Sequence, residues 1–219
     1  MKFILFSLFL FYFVKLQAQA DTILPWEIQF VMGAAIPINL ENENAVKLST
    51  GRFAELSVNY HFSKNYFTCL KLNYAKHDFS DIYSLNAYPV LRSHYFVPMI
   101  GKFQNFNKFY YQAKVGFGML YARSPAYLSQ KIDNYYIGKS SDESRTFIGE
   151  CNFLGGYNFN EHLSLILNTS IKCSEIRWDI RYNTFTESDL GLEYVSTGSY
   201  REKIIYFPVS LSVGVAYRL

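Results

Sequence analysis

The amino-acid sequence predicts an all-β fold: an eight-stranded antiparallel up-and-down transmembrane β-barrel with short periplasmic turns and long extracellular loops. Three observations predict it. The C-terminal stretch 203–219 alternates large apolar residues with small or polar ones at a period of two, which is typical of a strand with one apolar face. Seven earlier stretches show the same alternation. The connections between them are short and long in turn, as in barrels of bacterial outer membranes.

The first twenty residues are typical of a secretory signal peptide. Lys2 supplies the positive charge, residues 3–14 are apolar apart from Ser7, and Ala18 and Ala20 are small residues at a cleavage site. An N-terminal anchor that is never cut is the alternative, although the apolar run is short for a transmembrane helix. We therefore expect residues 1–20 to be removed near Ala20 and residues 21–219 to form the barrel domain.

The first four strands are expected at residues 26–38, 52–62, 66–79 and 95–103. The first three carry apolar residues on the outward face and polar or small residues on the inward face, whereas the fourth is more apolar on both faces. The expected outward residues are Trp26, Ile28, Phe30, Met32, Ala34 and Ile36 on the first strand, Ala54, Leu56, Val58, Tyr60 and Phe62 on the second, and Leu70, Leu72 and Tyr74 on the third.

The last four strands are expected at residues 109–121, 145–159, 162–174 and 203–219. Their outward residues are Tyr111, Val115, Phe117, Met119 and Tyr121; Phe147, Cys151, Phe153 and Tyr157; Leu163, Leu165, Leu167 and Ile171; and Ile205, Phe207, Val209, Leu211, Val213, Val215, Tyr217 and Leu219. The count of strands is even, as a closed single-chain barrel of the bacterial outer membrane requires.

The connections are sorted by length. Short turns follow strands two, four and six, at residues 63–65, 104–108 and 160–161, and polar loops follow the others, at residues 39–50, 80–93, 123–144 and 175–202. If the N-terminus lies in the periplasm, every short turn is periplasmic and every long loop is extracellular. A soluble β-sandwich or a lipocalin-like cup shares the alternation but has no reason to sort its loops in this way.

An eight-stranded barrel has an interior just wide enough for side chains to fill. Unpaired charges there are costly, so carboxylates and amines have to pair. We expect a self-satisfied polar plug, and a narrow path for protons or solutes is the functional alternative. The polar residues expected to face inward are Glu27, Gln29, Glu55, Asn59, His61, Lys71, Asn73, His77, Gln112, Lys114, Glu150, Asn152 and Asn168.

Composition excludes several classes of partner and site. The 19 Tyr and 20 Phe residues are typical of aromatic girdles at two membrane interfaces. The formal charge of +3 falls to about +1 once Lys2 and Lys15 leave with the signal peptide, which gives no reason to expect nucleic acid. The three cysteines form neither a disulfide framework nor a metal motif. Cys151 and Cys173 fall on one face of adjacent strands, where we expect two thiols rather than a disulfide.

The histidines His61, His77, His94 and His162 fall at different heights and faces, without the spacing of metal ligands. A Ser-His-Asp arrangement assembled from one end of the third and fourth strands is the weaker alternative. Its candidate members are His77 or His94, Asp78, Asp81, and Ser84 or Ser93. We expect no enzyme activity, no metal and no cofactor.

Two prolines fall at similar heights on the first and last strands, which must pair to close the barrel. Pro37 and Pro208 each remove a hydrogen-bond donor from that ladder. The plain interpretation is a strand end and a bulge. The sharper hypothesis is a weakened seam through which a lipid tail passes sideways.

The long loops are the places where such a scaffold carries function. Aromatic and arginine side chains are concentrated in the two longest loops, and these residue types are enriched in binding hot spots. An outer aromatic girdle with lipopolysaccharide-phosphate contacts, or extensions of the strands above the membrane, would explain them equally. The candidate ligand- or partner-binding residues are Tyr135, Tyr136, Arg177, Trp178, Arg181 and Tyr182.

Three short motifs resemble those of small outer-membrane barrels from Bacteroidetes. Residues 95–103 (YFVPMIGKF) are similar to their I-P-L-L-L-K-Y strand, and residues 155–159 (GGYNF) and 214–219 (GVAYRL) to their G-x-G-Y-x-F and terminal G-x-x-Y-R-F strands. The mature chain thus resembles the PorT-like outer membrane β-barrel family, which is functionally mixed and includes proteins linked to secretion. Leu219 departs from the pattern, because an aromatic residue usually stands there and is read by the barrel-assembly machinery.

Together these features predict an integral outer-membrane protein of porin-like architecture with a non-enzymatic structural or interaction role, presenting surface loops as an accessory of secretion or envelope maintenance. The expected partners are outer membrane lipid or lipopolysaccharide, the barrel-assembly machinery and an envelope or secretion protein. The alternatives are a lipid-modifying outer membrane enzyme, a narrow pore and a lipocalin-like carrier. Lipid turnover would favour the enzyme, and a defined single-channel conductance would favour the pore. Recovery in a soluble fraction would favour the carrier.

Overall fold

The computed structural model describes residues 25–38, 48–78, 90–123, 127–132, 135–139, 143–188 and 191–219. The expected signal peptide, residues 1–20, lies outside them. No helix in this described part of the chain is long and apolar enough to cross a membrane. The strands are β1 Trp26–Pro37, β2 Gly51–His61, β3 Tyr66–Asp78, β4 Val90–Phe106, β5 Phe109–Arg123, β6 Tyr127–Ile132, β7 Tyr135–Lys139, β8 Glu143–Asn158, β9 Leu163–Ser188, β10 Gly191–Tyr206 and β11 Pro208–Arg218.

These strands form a closed, eight-stranded antiparallel barrel. Its strands are β1, β2, β3, β4, β5, β8, β9 and the pair β10 and β11, which follow one line and are separated only at Phe207. Closure is direct, because β11 pairs with β1 on one side and with β9 on the other. The predicted up-and-down topology is confirmed, and β6 and β7 form an additional hairpin between β5 and β8.

The period-two alternation sorts the side chains of every barrel strand between two surfaces. Residues of the inward face are buried, and large apolar residues of the outward face are exposed, as with Phe117 at 61% and Leu211 at 66%. On β5 the outward apolar residues run from Phe109 to Tyr121, which is roughly 40 Å along the strand and, at a tilt of about 45°, roughly 28 Å of height. The barrel therefore carries an apolar belt as tall as the hydrocarbon core of a bilayer.

The short turns lie together at one end of the barrel, which we call the turn end, and the opposite end is the loop end. The turns span residues 62–65, 107–108 and 159–162. Each lies where the spacing predicts a turn, although the second is shorter than the predicted 104–108. In the tightest, Asn107 has a φ of 58°, a left-handed conformation that Asn tolerates better than most residues. Ring contacts at this end join Trp26 to Tyr60 at 4.7 Å and His162 to Tyr217 at 5.8 Å, as in an aromatic girdle.

Four predicted boundaries were wrong. One lies at the turn end, where β4 continues to Phe106 instead of ending at residue 103, and the other three lie at the loop end. Strand β4 begins at Val90 instead of residue 95. Residues 175–188 and 191–202, within a segment predicted as a loop, belong to the outer parts of β9 and β10, which pair from Gly191 opposite Ser188 down to Tyr206 opposite Ser174. Residues 123–144, also predicted as a loop, contain β6 and β7. On β9 the alternation continues past the belt, but charged residues such as Arg177 and Asp179 take the outward positions that apolar residues hold in the belt.

The two prolines face each other across the closing seam. Pro37 is the register partner of Pro208, and beyond this pair the Ile38 amide donates to the Phe207 carbonyl at 3.0 Å. The pairing of β9 continues past Pro208 without a change of register, so the predicted bulge is a simple interruption between β10 and β11. Proline has no N–H for the ladder, which explains the interruption. Sideways passage of a lipid tail here stays a hypothesis.

The three cysteines are free thiols. Cys69 is buried in the barrel, whereas Cys151 and Cys173 are exposed on the outward face. Cys151 lies opposite Ile171, and Cys173 lies opposite Gly149, so the two thiols are offset by two residues in the ladder. Their offset position agrees with the expectation of two thiols instead of a disulfide.

Candidate functional site

The interior of the barrel is occupied by polar side chains from one end to the other. Every one of the thirteen residues predicted to face inward is buried, from Glu27 at 0% to His61 at 8% exposure. The confirmed set is Glu27, Gln29, Glu55, Asn59, His61, Lys71, Asn73, His77, Gln112, Lys114, Glu150, Asn152 and Asn168. Their contacts determine whether the interior is a plug or a path.

Glu27 organises the interior at the turn end. Its Oε2 accepts from Arg218 Nε at 2.8 Å. Its Oε1 accepts three amide N–H groups, from Gln29 at 2.6 Å, Gln112 at 2.8 Å and Asn59 at 2.9 Å. Four donors on one carboxylate compensate for the water that it loses on burial. This end is therefore closed by a hydrogen-bond cluster centred on the Glu27 carboxylate.

Lys71 occupies the middle of the barrel, between two carboxylates. Its Nζ lies 2.9 Å from Glu55 Oε1 and 2.8 Å from Glu150 Oε1, and its side chain is fully buried. The three residues come from β2, β3 and β8, so this triad connects opposite walls of the barrel. Nearby, Lys114 Nζ donates to Gln29 Oε1 at 3.0 Å, which joins the triad level to the Glu27 cluster.

Towards the loop end the interior holds Lys172, which the sequence prediction missed. It is 2% exposed, and its Nζ donates to Ser210 Oγ at 2.7 Å and lies 4.9 Å from the ring centre of Phe53 and 5.4 Å from that of Tyr95. Its neighbours Ile171 and Cys173 are outward residues, so the period of two alone would have placed it inside. Aromatic faces and one hydroxyl stabilise this ammonium group in place of a direct carboxylate.

The residues suggested for a catalytic triad lie on opposite faces of the wall. His77 points inward, where its Nε2 lies 3.0 Å from Tyr206 Oη and its Nδ1 lies 3.2 Å from the Ser49 carbonyl oxygen. Asp78 and His94 face outward, and Ser93 faces inward and is fully buried. Asp81 and Ser84 lie outside the described residues. The β-pleat therefore places His77 and Ser93 on one face and Asp78 and His94 on the other, so neither histidine shares a face with both a serine and an aspartate of the described set.

A second candidate site stands beyond the loop end of the barrel. There β6, β7, β9 and β10 form a four-stranded sheet in that order, which we call the external sheet. Strand β7 pairs with the outer part of β9, from Tyr135 opposite Thr186 to Lys139 opposite Tyr182. Two segments predicted as separate loops are thus joined by backbone hydrogen bonds into one structure.

The external sheet contains all six residues singled out in the sequence. Tyr135 and Tyr136 lie on β7, and Arg177, Trp178, Arg181 and Tyr182 lie on β9. The structure describes only the backbone of the four aromatic residues among them. The side chains of Arg177 and Arg181 are exposed, and Arg177 forms an ion pair with Glu175. Of the interpretations given for these residues, the fold supports the one in which they belong to extensions of the barrel strands.

Side-chain contacts in this sheet are on its surface. Arg201 Nε donates to Asp179 Oδ1 at 2.7 Å across the β9–β10 pair, and this hydrogen bond holds the pKa of Asp179 below its ordinary value. Thr197 donates to Asn183 Oδ1 at 3.0 Å, farther from the barrel. Near the tip, apolar side chains of β10 are exposed, including Leu192 and Tyr194 at 48% and 60%.

Comparison with known proteins identifies the fold. No family model and no curated protein matches the chain. Among solved structures it is similar to the outer membrane protein OprG from Pseudomonas aeruginosa, with a TM-score of 0.52 and 15% identity over 89% of this chain and 95% of that one. It is also similar to a major outer membrane protein from Thermus thermophilus, with a TM-score of 0.53 and 11% identity over 89% and 99%.

At these identities the likeness shows the fold alone. The fold is that of outer-membrane β-barrel proteins. The resemblance of the sequence motifs to the PorT-like family stays a prediction.

Proposed function

We propose that this chain is an integral outer-membrane barrel whose role is non-enzymatic: it holds the external sheet outside the cell and binds an envelope or secretion protein through it. The barrel anchors the chain in the membrane, and the external sheet binds the partner protein. The observation that carries the proposal is the external sheet itself, in which strands continue beyond the apolar belt and pair with a separate hairpin.

The apolar belt supports the membrane location. Its outward residues are exposed apolar side chains on every barrel strand, and its height of roughly 28 Å equals that of a bilayer core. A soluble protein with so large an exposed apolar surface would aggregate. The belt is incompatible with a lipocalin-like carrier, in which the apolar faces point inward.

The contents of the barrel support an anchoring role over a pore. The Glu27 cluster, the Lys71 triad and Lys172 follow one another along the axis, and the carboxylates and cations are close to balance. Each group is bonded to the opposite or adjacent wall, so opening a path would break buried ion pairs that are costly to separate. We therefore propose that the barrel does not conduct.

The unpaired edge of β10 supports protein recognition. Within the described residues, β10 pairs only with β9, whereas β11 has a partner on each side. An open edge presents a row of backbone N–H and C=O groups to which an extended segment of another protein can add as a strand. Exposed Leu192, Tyr194 and Val195 near the tip provide apolar side chains for such a contact.

Crosslinking in intact cells tests this role. A photoreactive residue placed at Val195 or Ser199, both exposed on β10, is expected to give one discrete crosslinked species containing an envelope or secretion protein. The matched control is the same residue at Phe109, which is exposed at the turn end and is expected to give no such species. Identical products from both ends, or none from β10, would contradict the proposed role of the external sheet.

A further inference from the structure

Four adjacent strands each place a basic residue at the same level of the loop end. Arg52, Lys76, Arg92 and Arg123 lie on β2, β3, β4 and β5, and each is the register partner of the next. All four are exposed on the outward face. They form a continuous row, which we call the basic row, across half of the barrel wall just above the apolar belt.

The basic row is unfavourable in the absence of a counter-charge. Like charges directly opposite each other in a sheet repel, and the row contains three such pairs in succession. Within the described residues no carboxylate forms an ion pair with Arg52, Lys76 or Arg92, and the nearest acids in register are Asp78, farther out on β3, and Glu143, opposite Arg123. Counted over the described residues, the row therefore has a positive excess that an anion would neutralise.

The arginines of the external sheet show the contrast. Arg177 is paired with Glu175, and Arg201 is paired with Asp179. Exposed cations at the loop end are therefore matched by carboxylates on the β9–β10 side, whereas the β2–β5 side keeps its positive excess.

An apolar groove lies directly below the basic row. It has a volume of about 640 Å³ and is lined mainly by outward residues of β2 to β5, among them Ala54, Leu56, Leu72, Phe96 and Met119. Its upper rim is a line of rings, with Tyr74 and His94 at 4.9 Å and His94 and Tyr121 at 6.4 Å. Arg145 closes this rim, with its guanidinium 5.8 Å from the centre of the Tyr121 ring.

We propose that the basic row and the groove form a binding site for one phosphorylated, acylated lipid of the membrane leaflet at the loop end. The lipid phosphate lies on the basic row, where arginine offers paired N–H donors and lysine a compact charge. An acyl chain lies in the groove, and the ring line marks the boundary between headgroup and chain. The site rests on the proposed membrane location and is independent of the external sheet.

Diphosphoryl lipid A is the probe that tests this site. The detergent-purified protein is titrated with it, and bound lipid is counted by native mass spectrometry. The double variant Lys76→Gln/Arg92→Gln is expected to bind roughly thirtyfold more weakly, since each basic residue beside an anionic lipid surface contributes substantially to binding. The matched control Lys102→Gln/Lys108→Gln removes the same charge at the turn end, and its binding is expected to equal that of the wild type.

Further variants and a second lipid test the basic row and the groove separately. Arg52→Gln/Arg123→Gln should also weaken binding, and Ala54→Trp should weaken it by filling the groove while leaving every charge in place. Lipid A without its phosphates should bind poorly. Equal binding of lipid A to the wild type and both basic-row variants would overturn the proposal, as would full competition by inorganic phosphate at the lipid concentration. Unchanged binding by Ala54→Trp would overturn the assignment of the groove.

Boiled and unboiled gel mobility is recorded for every variant. A folded, closed barrel migrates differently before heating, so the shift shows that a loss of lipid binding is not a loss of folding. A wild-type protein without a heat-dependent shift would contradict the proposed membrane barrel, whereas a shifted wild type that binds lipid A no better than its dephosphorylated form would contradict the lipid site alone.

Discussion

The Lys71 triad inside the barrel and the Arg201–Asp179 pair on the external sheet are built from the same chemistry in opposite surroundings. The Lys71 side chain is fully buried between two carboxylates, whereas the side chains of Arg201 and Asp179 are 68% and 73% exposed. Buried charges are expensive to separate, and exposed pairs contribute little. The stability of the barrel thus depends strongly on its buried ion pairs. Substitutions on the surface of the external sheet are expected to leave the barrel folded.

The largest expected effect comes from breaking the buried triad. Lys71→Met leaves Glu55 and Glu150 facing each other without a cation, and we expect it to lower the free energy of unfolding by about 3–5 kcal/mol. Urea unfolding of the protein in detergent or lipid measures the change. The matched exposed substitution, Arg201→Met, is expected to cause no measurable loss. Similar losses from the two substitutions would contradict the contrast between the sites.

A triple substitution sharpens the same point. Lys71→Met/Glu55→Gln/Glu150→Gln removes the cation together with both anions, so none of the three side chains stays charged, although the buried Lys114 and Lys172 lose two neighbouring carboxylates. We expect it to recover part of the stability lost in Lys71→Met, because replacing a whole buried ion-pair group is often nearly neutral. If the triple variant is less stable than Lys71→Met in the same urea series, the unpaired carboxylates of Glu55 and Glu150 are not the source of the loss.

Arg218→Met tests the Glu27 cluster and should have a smaller effect. Glu27 loses its ion pair but keeps the amide donors of Gln29, Asn59 and Gln112. We expect a loss of about 1–3 kcal/mol, the usual range for removing one partner of a buried polar group. A loss as large as that of Lys71→Met would show that the amides do not compensate for the missing guanidinium.

Removing the outer part of the external sheet should leave the barrel intact. Trp178 and Glu202 are register partners, so an Asn-Gly turn can replace residues 179–201 between them. The shortened protein is expected to keep its heat-dependent gel shift. A shortened chain without a gel shift would mean that the external sheet is part of the barrel's own stability.

The smallest expected effect is the response of the exposed pair to pH. The hydrogen bond from Arg201 holds the pKa of Asp179 below its ordinary value of 3.8. The contribution of the pair to stability is therefore present above that value and is lost as the pH falls through the lower pKa of the folded state. Hydrogen exchange should show the wild-type hairpin slightly better protected than Asp179→Asn at about pH 6, with the difference disappearing once the pH has fallen through the lowered pKa of Asp179. A difference independent of pH would contradict this assignment.

The sequence predicts this fold well wherever one face of a strand meets an apolar medium. Large outward residues such as Leu211 and buried partners such as Asn152 follow from the period of two alone. Beyond the belt the outward positions of β9 are charged, as at Arg177 and Asp179, so the search for an apolar outward face did not mark residues 175–202 as strands, and only the structure reveals their pairing. The same reason hides the first residues of β4, where Arg92 and His94 interrupt the apolar pattern.

The partners of the inward charges could not be predicted from the sequence. Lys71 was expected inside, but its contact with Glu150 on β8 depends on the tilt and stagger of the closed barrel. The basic row escaped prediction for a related reason. Arg52, Lys76, Arg92 and Arg123 are far apart in sequence and become neighbours only through the register of three strand pairs.

The most direct test of a lipid-facing belt around a filled barrel is gel mobility of the protein from washed outer membranes, boiled against unboiled. A closed barrel with the Lys71 triad intact is expected to stay folded in detergent and to migrate at a different apparent size until it is heated. Recovery in a soluble fraction with the same mobility before and after boiling would contradict the membrane assignment, because the exposed apolar faces of β1, β5 and β11 would then have to form a core.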